Sequence, residues 1–432
     1  MFLKNLFTVF LFALFSATAS AAVKINHWQT SAGSDVYFVE NHDLPIIDLS
    51  VNFPAGSARD NKEKSGIASV TRYMMTLGAA GMNEEEITNQ FADIGAILGG
   101  ELDADRAAFK LRTLTSEQAK ALETFDKILH KPDFPQTVLE REKTRIVAGL
   151  KEAETQPDSI SGKAFMKALY GAHPYGLDSS GEIDTITALK REDLQAFYQT
   201  FYSAKSATIA MMGDMTEARA REVAETISSG LPQTPAVEQL PEVAYPTVPS
   251  AQNIKHPASQ AHILLGYPGV KRGDADYWPL YVGNYILGGG GFVSRLTEEV
   301  REKRGLVYSV YSYFIPMDEL GPFQIGLQTK KEQANEALKV VNQTVAKYIA
   351  DGPTEKELKA AKDNIIGGFP LRLDSNAEIL DYISMIGFYK LPLTYLDDFN
   401  RQVAKVTTKQ IKDAFQRRVK PENFVSVIVG AE

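Results

Sequence analysis

Between Gly230 and Val248 the chain reads GLPQTPAVEQLPEVAYPTV, with four prolines in one short stretch. Each proline removes a backbone donor and fixes φ, so this segment cannot be regular helix and is expected to run as an extended connector. A chain of 432 residues is too long for one ordinary domain, and the break leaves structured parts of about equal size on either side. The two parts also resemble each other. Leu194 to Gly213 reads LQAFYQTFYSAKSATIAMMG and Ile411 to Gly430 reads IKDAFQRRVKPENFVSVIVG, so that Leu194, Tyr198 and Gly213 correspond to Ile411, Phe415 and Gly430 at a constant offset. Both read as helix, polar turn and an apolar strand closed by glycine, the mark of a duplicated unit. The expected division is a leader over 1–21, a first domain over 22–232, a linker over 233–252 and a second domain over 253–432.

The leader is expected from the first residues. Lys4 is its one charge, Leu6 to Phe15 are apolar apart from Thr8, and Ala19 and Ala21 end it in an A-x-A-like site. That is the pattern of a secretory signal peptide cleaved near Ala21, too short in its apolar part to span a bilayer. Export into the periplasm follows as an expectation, with no stable membrane span in the mature chain. No cysteine occurs, which excludes disulfides, thiolate nucleophiles and thiolate metal ligands. A formal charge of -8 with no basic stripe argues against a nucleic-acid partner.

In the first part, Val36 to Glu40 and Ile46 to Val51 read as strands, Gly66 to Leu77 as an amphipathic helix, and Ala107 to Leu114 as another strand. A second helix is expected to begin near Asn83, and long ones cover Ser116 to Ile128 and Thr137 to Glu154. The fold class is therefore α+β: two homologous domains, each an antiparallel sheet covered by helices, facing each other across a cavity.

Two stretches carry more than composition. One is GIASVTRYMMTLG, Gly66 to Gly78, and the other is Asn284 to Phe314, which contains the run Gly288, Gly289, Gly290, Gly291. Four glycines are uncomfortable in a helix. They fail both the P-loop and the dinucleotide patterns, so a flexible or closely packed turn is expected rather than a phosphate cradle. The six histidines are His27, His42, His130, His173, His256 and His262; none forms an H-x-x-x-H pair, and incidental roles are expected for each. His130 would end a helix where a cation is favourable.

The order of these features resembles the pitrilysin/insulinase family of inverted zinc peptidases, in particular two-domain bacterial members similar to mitochondrial processing peptidase. The likeness rests on Pro54-Ala55-Gly56-Ser57, Asp93-Ile94-Gly95-Ala96, His173-Pro174-Tyr175-Gly176, Ser294-Arg295-Leu296, and Arg301 to Tyr308. Active members resembling this chain carry H-x-x-E-H on the first helix: histidines four apart face one side and hold zinc, while the glutamate activates water. In this sequence Ser69 stands at the first histidine position, Arg72 at the glutamate, Tyr73 at the second histidine, and Gly149 at the spacing of the distal glutamate ligand. The resemblance thus implies a degenerate site, with no cofactor expected in this chain, and Arg72 would repel a metal.

In active members the matching arginine and tyrosine of the second half position substrate and stabilise the tetrahedral intermediate, and here Arg301 and Tyr308 are retained. Their purely local alternative is a helix ion pair for Arg301 and strand packing for Tyr308. The pattern is similar to the non-catalytic subunit of paired members. It implies a heterodimer with a homologous H-x-x-E-H chain that carries the zinc, a homodimer being the alternative. An extended peptide would be the substrate, met by the glycine run or by strand addition. Two other readings stand beside it: a stand-alone peptide-binding or chaperone-like protein, and an active peptidase with an unrecognised site. Ser69 is the nucleophile the last would need, yet it has neither a nearby histidine nor a G-x-S-x-G context.

Overall fold

The computed structural model describes residues 23–430; the leader expected over 1–21 lies outside the described residues. The first sheet contains β1 (Asn26–Gln29), β2 (Asp35–Glu40), β3 (Ile46–Phe53), β6 (Ile97–Gly99), β7 (Ala107–Leu114) and β8 (Thr208–Gly213), in the order β1-β2-β8-β3-β7-β6. A small ribbon of β4 (Gly78–Ala79) and β5 (Met82–Asn83) stands apart from it. The second sheet contains β9 (Ser250–Ile254), β10 (Gln260–Val270), β11 (Val307–Phe314), β12 (Gly321–Lys330) and β13 (Val425–Val429), in the order β11-β12-β10-β13-β9.

The two orders superpose strand for strand, β6-β7-β3-β8-β2 on β11-β12-β10-β13-β9, with β1 as an addition to the first. Each sheet is antiparallel except for one parallel pair, β2 with β8 and β9 with β13, which departs from the all-antiparallel expectation in the same place twice. The segments matched in sequence are matched in space. The Arg191–Phe201 helix precedes β8 and the Thr408–Arg418 helix precedes β13, and both strands run into a glycine of positive φ, 129° at Gly213 and 87° at Gly430. From residue 231 to 249 the connector has neither helix nor strand, and Leu240 and Val243 anchor it by burial.

Helices cover the sheets, and two of them cross over. The Pro157–Tyr170 helix packs on β10 and β13 of the second sheet, and the Asn376–Phe388 helix packs on β8, β3 and β2 of the first. Strand alternation shows the result: Val36, Phe38, Ile209 and Met211 enter the core of the first half, while Tyr37, Val39, Ala210 and Met212 join Leu380, Ile383 and Ile386 in the core of the second. A strand covered on both faces reads as a continuous apolar run, as β8 does. Asp105 adds a polar tie between the halves. Tyr175 Oη donates to it at 2.5 Å, Tyr389 Oη at 2.7 Å and the Asp318 backbone N–H at 2.8 Å. Asp105 is buried, and that burial pushes its carboxyl above the usual range against those three donors.

Candidate functional site

The helix expected over Gly66–Leu77 occupies Ile67–Met74. Its entry is fixed by Gly66, whose φ of 91° suits glycine, and by Asp60, which accepts from Gly66 N at 2.6 Å and Ala68 N at 3.0 Å. Burial nevertheless raises the Asp60 carboxyl to about 7. The helix buries Ile67, Ala68, Val70, Thr71 and Met74, which leaves Ser69, Arg72 and Tyr73 partly exposed.

Arg72 turns onto the sheet. Its Nε donates to Ala108 O of β7 at 3.1 Å, its guanidinium lies 5.2 Å over the Phe109 ring, and a side chain at Gly100 would collide with it. Tyr73 faces the Gln136–Ala153 helix, where the Arg145 guanidinium stacks over its ring at 5.2 Å. Gly149 lies on that same helix, one turn further on, exposed and with open space where a Cβ would stand. The fold therefore brings Tyr73 and the helix of Gly149 together, as a ligand set split between two helices requires. What stands there is a hydroxyl, a phenol, a bare glycine and two arginines. No group of three or more His, Asp or Glu able to hold a metal occurs among the described residues. These side chains do not fit zinc, since none is a good ligand for it and both cations oppose it.

The second group sits on the other sheet. Arg301 lies in a π-helical turn, Thr297–Glu302, and Tyr308 stands on β11 where its register slips between Val307 and Ser309. The guanidinium is 4.9 Å over the Phe292 ring and 5.7 Å over that of Tyr308, while Glu302 is only a loose neighbour at 3.7 Å. Phe292 is 73% exposed and Tyr308 78%. An arginine clasped between two exposed rings keeps its N–H groups free to bond, and the clasp limits its motion. Phe292 carried no signal in the sequence beyond its place directly after the glycines.

Those glycines form a closely packed turn, part of which stays helical. Gly288 and Gly289 continue the Tyr277–Asn284 helix as a π-helical turn, Tyr285–Gly289. Contact explains it: a Cβ on Gly288 would lie 2.6 Å from the Ser312 backbone nitrogen of β11, so only glycine lets helix and strand meet. Asn284 and Ser312 bond each other beside it at 2.8 and 2.7 Å. A Cβ on Gly290 would crowd Tyr285 O at 2.7 Å, and Gly291, with φ of 61°, turns the chain outward to Phe292. Arg295 is structural, paired with both Glu357 oxygens at 2.6 and 2.8 Å. His130 differs from expectation: its Nε2 meets Ile227 O at 2.8 Å, and burial lowers its pKa, so it is held as a neutral donor rather than a helix-end cation. His173 caps its own turn, accepting from Tyr175 N at 3.1 Å.

A duplicated helix-on-sheet unit whose first helix and distal helix meet at a ligand-free site is the scaffold of an inverted zinc peptidase without its metal ligands. Residues 36–181 match the family model described as insulinase (peptidase family M16), and residues 188–365 match that of the peptidase M16 inactive domain. The chain belongs to this family. A crystal structure described as a peptidase M16 inactive domain, from Pseudomonas fluorescens, is 38% identical with a TM-score of 0.91, covering 95% of this chain and 98% of that one. The non-peptidase homolog YmxG of Helicobacter pylori is 25% identical over 99% of this chain and 98% of its own. An uncharacterized zinc protease of the same name from Bacillus subtilis is 26% identical over 81% of this chain and 85% of its own. Among the described residues, no helix is long and apolar enough to cross a membrane.

Proposed function

We propose that this protein is the non-catalytic, peptide-binding subunit of an exported zinc peptidase assembly, acting in the periplasm beside a homologous chain that carries H-x-x-E-H and the zinc. The observation that carries this reading is the asymmetry between its two groups. Ser69, Arg72, Tyr73 and Gly149 offer a metal nothing, whereas Arg301, one-third exposed, is held beside the exposed rings of Phe292 and Tyr308. A guanidinium and a phenol so placed can grip a peptide carbonyl and stabilise the oxyanion that develops from it. The peptide would lie extended, adding to a free sheet edge such as β6, where Ile97 is 61% exposed. The name of the Helicobacter pylori relative, a non-peptidase homolog, supports absence of catalysis by this chain alone.

The test is peptide hydrolysis by the mature protein, by an H-x-x-E-H homologue exported by the same cell, and by their mixture, with zinc measured in each. Turnover is expected from the mixture, and chelator-sensitive turnover by this chain alone refutes the reading. R301A is expected to lower turnover of the mixture by roughly tenfold or more, the worth of one charge-assisted bond, while co-elution of the two chains persists. Unchanged kinetics would remove Arg301 from the reaction.

A further inference from the structure

The loop between β10 and the Tyr277–Asn284 helix forms, with the Tyr395–Lys405 helix, a cleft of about 240 Å³ that shares no residue with the groups described above. Arg272 lines it at one end and Trp278, Leu391, Pro392 and Tyr395 form its apolar walls. The carboxylates at its rim are engaged. Asp274 accepts two bonds from Arg418 at 2.9 Å, and Asp398 pairs with Arg401 and with Thr394 Oγ1. Arg272 differs: its guanidinium has no carboxylate partner among the described residues, and its Nε is buried without a hydrogen-bond acceptor. The guanidinium lies 5.4 Å from the centre of the Tyr389 ring. Tyr277 and Tyr395 line the same cleft.

A buried cationic donor without an acceptor is costly, and a planar fork of N–H groups matches a carboxylate in both shape and charge. We propose that this cleft binds a carboxylate carried on an apolar or aromatic body, with the oxygens on Arg272 and the body against Trp278. Neutralised rim acids leave Arg272 as the unbalanced charge, so a cation has no place there. The volume limits the occupant to a small acid or to one C-terminal residue of a peptide. Both sources present the same chemistry.

The chain has two tryptophans, and W28F leaves Trp278 as the sole indole reporter. Titration of W28F protein with 3-phenylpropionate should change Trp278 emission saturably, and 3-phenylpropionamide should bind at least about tenfold more weakly, since it lacks the charge. A blocked tripeptide ending in phenylalanine, compared with its C-terminal amide, separates the sources: binding by the tripeptide acid assigns the site to polypeptide ends, and binding by phenylpropionate alone assigns it to small acids. In the W28F background R272M should erase the preference of acid over amide, and R272K should keep part of it, with circular dichroism confirming that each is folded. Equal binding of acid and amide by W28F protein, or no Trp278 response to either acid at millimolar concentration, overturns the proposal without reliance on any Arg272 variant.

Discussion

Replacing Phe165 with alanine (F165A) removes a ring from the Pro157–Tyr170 helix, which belongs by sequence to the first half and by packing to the second. Phe165 is fully buried among Leu169, Tyr170, Val425, Val427 and Val429. Its ring tip lies 3.0 Å from where a Cβ on Gly266 would stand, against strand backbone that cannot collapse into the space left. Phe-to-Ala truncations in cores cost about 3–5 kcal/mol, and the rigidity of the wall places this one in the upper part of that range. Each half carries one tryptophan as a reporter: Trp28 packs edge-on to Phe38 on the first sheet, and Trp278 packs on Tyr395 and Phe399 in the second half. Urea unfolding followed by fluorescence in W28F and W278F backgrounds therefore reads the halves separately. Because the Asn376–Phe388 helix returns the exchange, both transitions should fall together, each by the equivalent of about 3–5 kcal/mol. A shift of the Trp278 transition with the Trp28 transition unmoved would refute the view that exchanged helices fuse the halves into one cooperative unit.

Asp60 makes stability depend on pH. Its carboxyl titrates near 7 in the fold against an ordinary 3.8, so the folded chain binds more protons through that window and stability falls as pH rises across it, by roughly 4 kcal/mol. D60N should remove that slope, and urea midpoints measured from pH 4 to pH 8 that fall equally in both proteins would contradict it. D105A leaves two tyrosine hydroxyls and a backbone N–H at the junction of the halves without their acceptor, an expected loss of about 2–4 kcal/mol by urea unfolding; Y389F, which removes one donor, should cost about 1 kcal/mol. The quadruple variant S69H/R72E/Y73H/G149E should acquire one zinc per chain by elemental analysis where the unchanged protein retains none after dialysis. A folded quadruple variant without zinc would show that the two helices no longer hold ligand geometry.

Local features of the fold were legible because local physics sets them. The strand expected over Ala107–Leu114 is matched residue for residue, and the helix expected to begin near Asn83 does begin there, where the structure adds a capping box between Asn83 and Glu86. The constant offset between Leu194–Gly213 and Ile411–Gly430 pointed to a duplication, and the matching sheet orders repeat it. Partner choice was not legible. An apolar helix face in Pro157–Tyr170 says that something covers it, and nothing in its spacing says that the cover is the other half's sheet. The same limit hid the clasp of Phe292 on Arg301, a contact set by the register slip in β11, and the π-helical turn at Gly288, set by the approach of that strand. At the metal-free site the spacing located Ser69, Arg72 and Tyr73 on one helix. It could not foresee that Arg72 would lie down on Phe109 and Arg145 would take the space over Tyr73.

The helix exchange bears on ancestry. A half-length molecule built like either side of this chain would lend out one helix and lack another, so it could satisfy its sheet only in the company of a second copy. A swapped pair of such molecules joined end to end would have this architecture, with the Pro-rich segment in the place of the join. The protein is in that sense an assembly already, its self-complementary surface consumed inside one polypeptide. Whatever else it associates with must use the faces that the exchange left over.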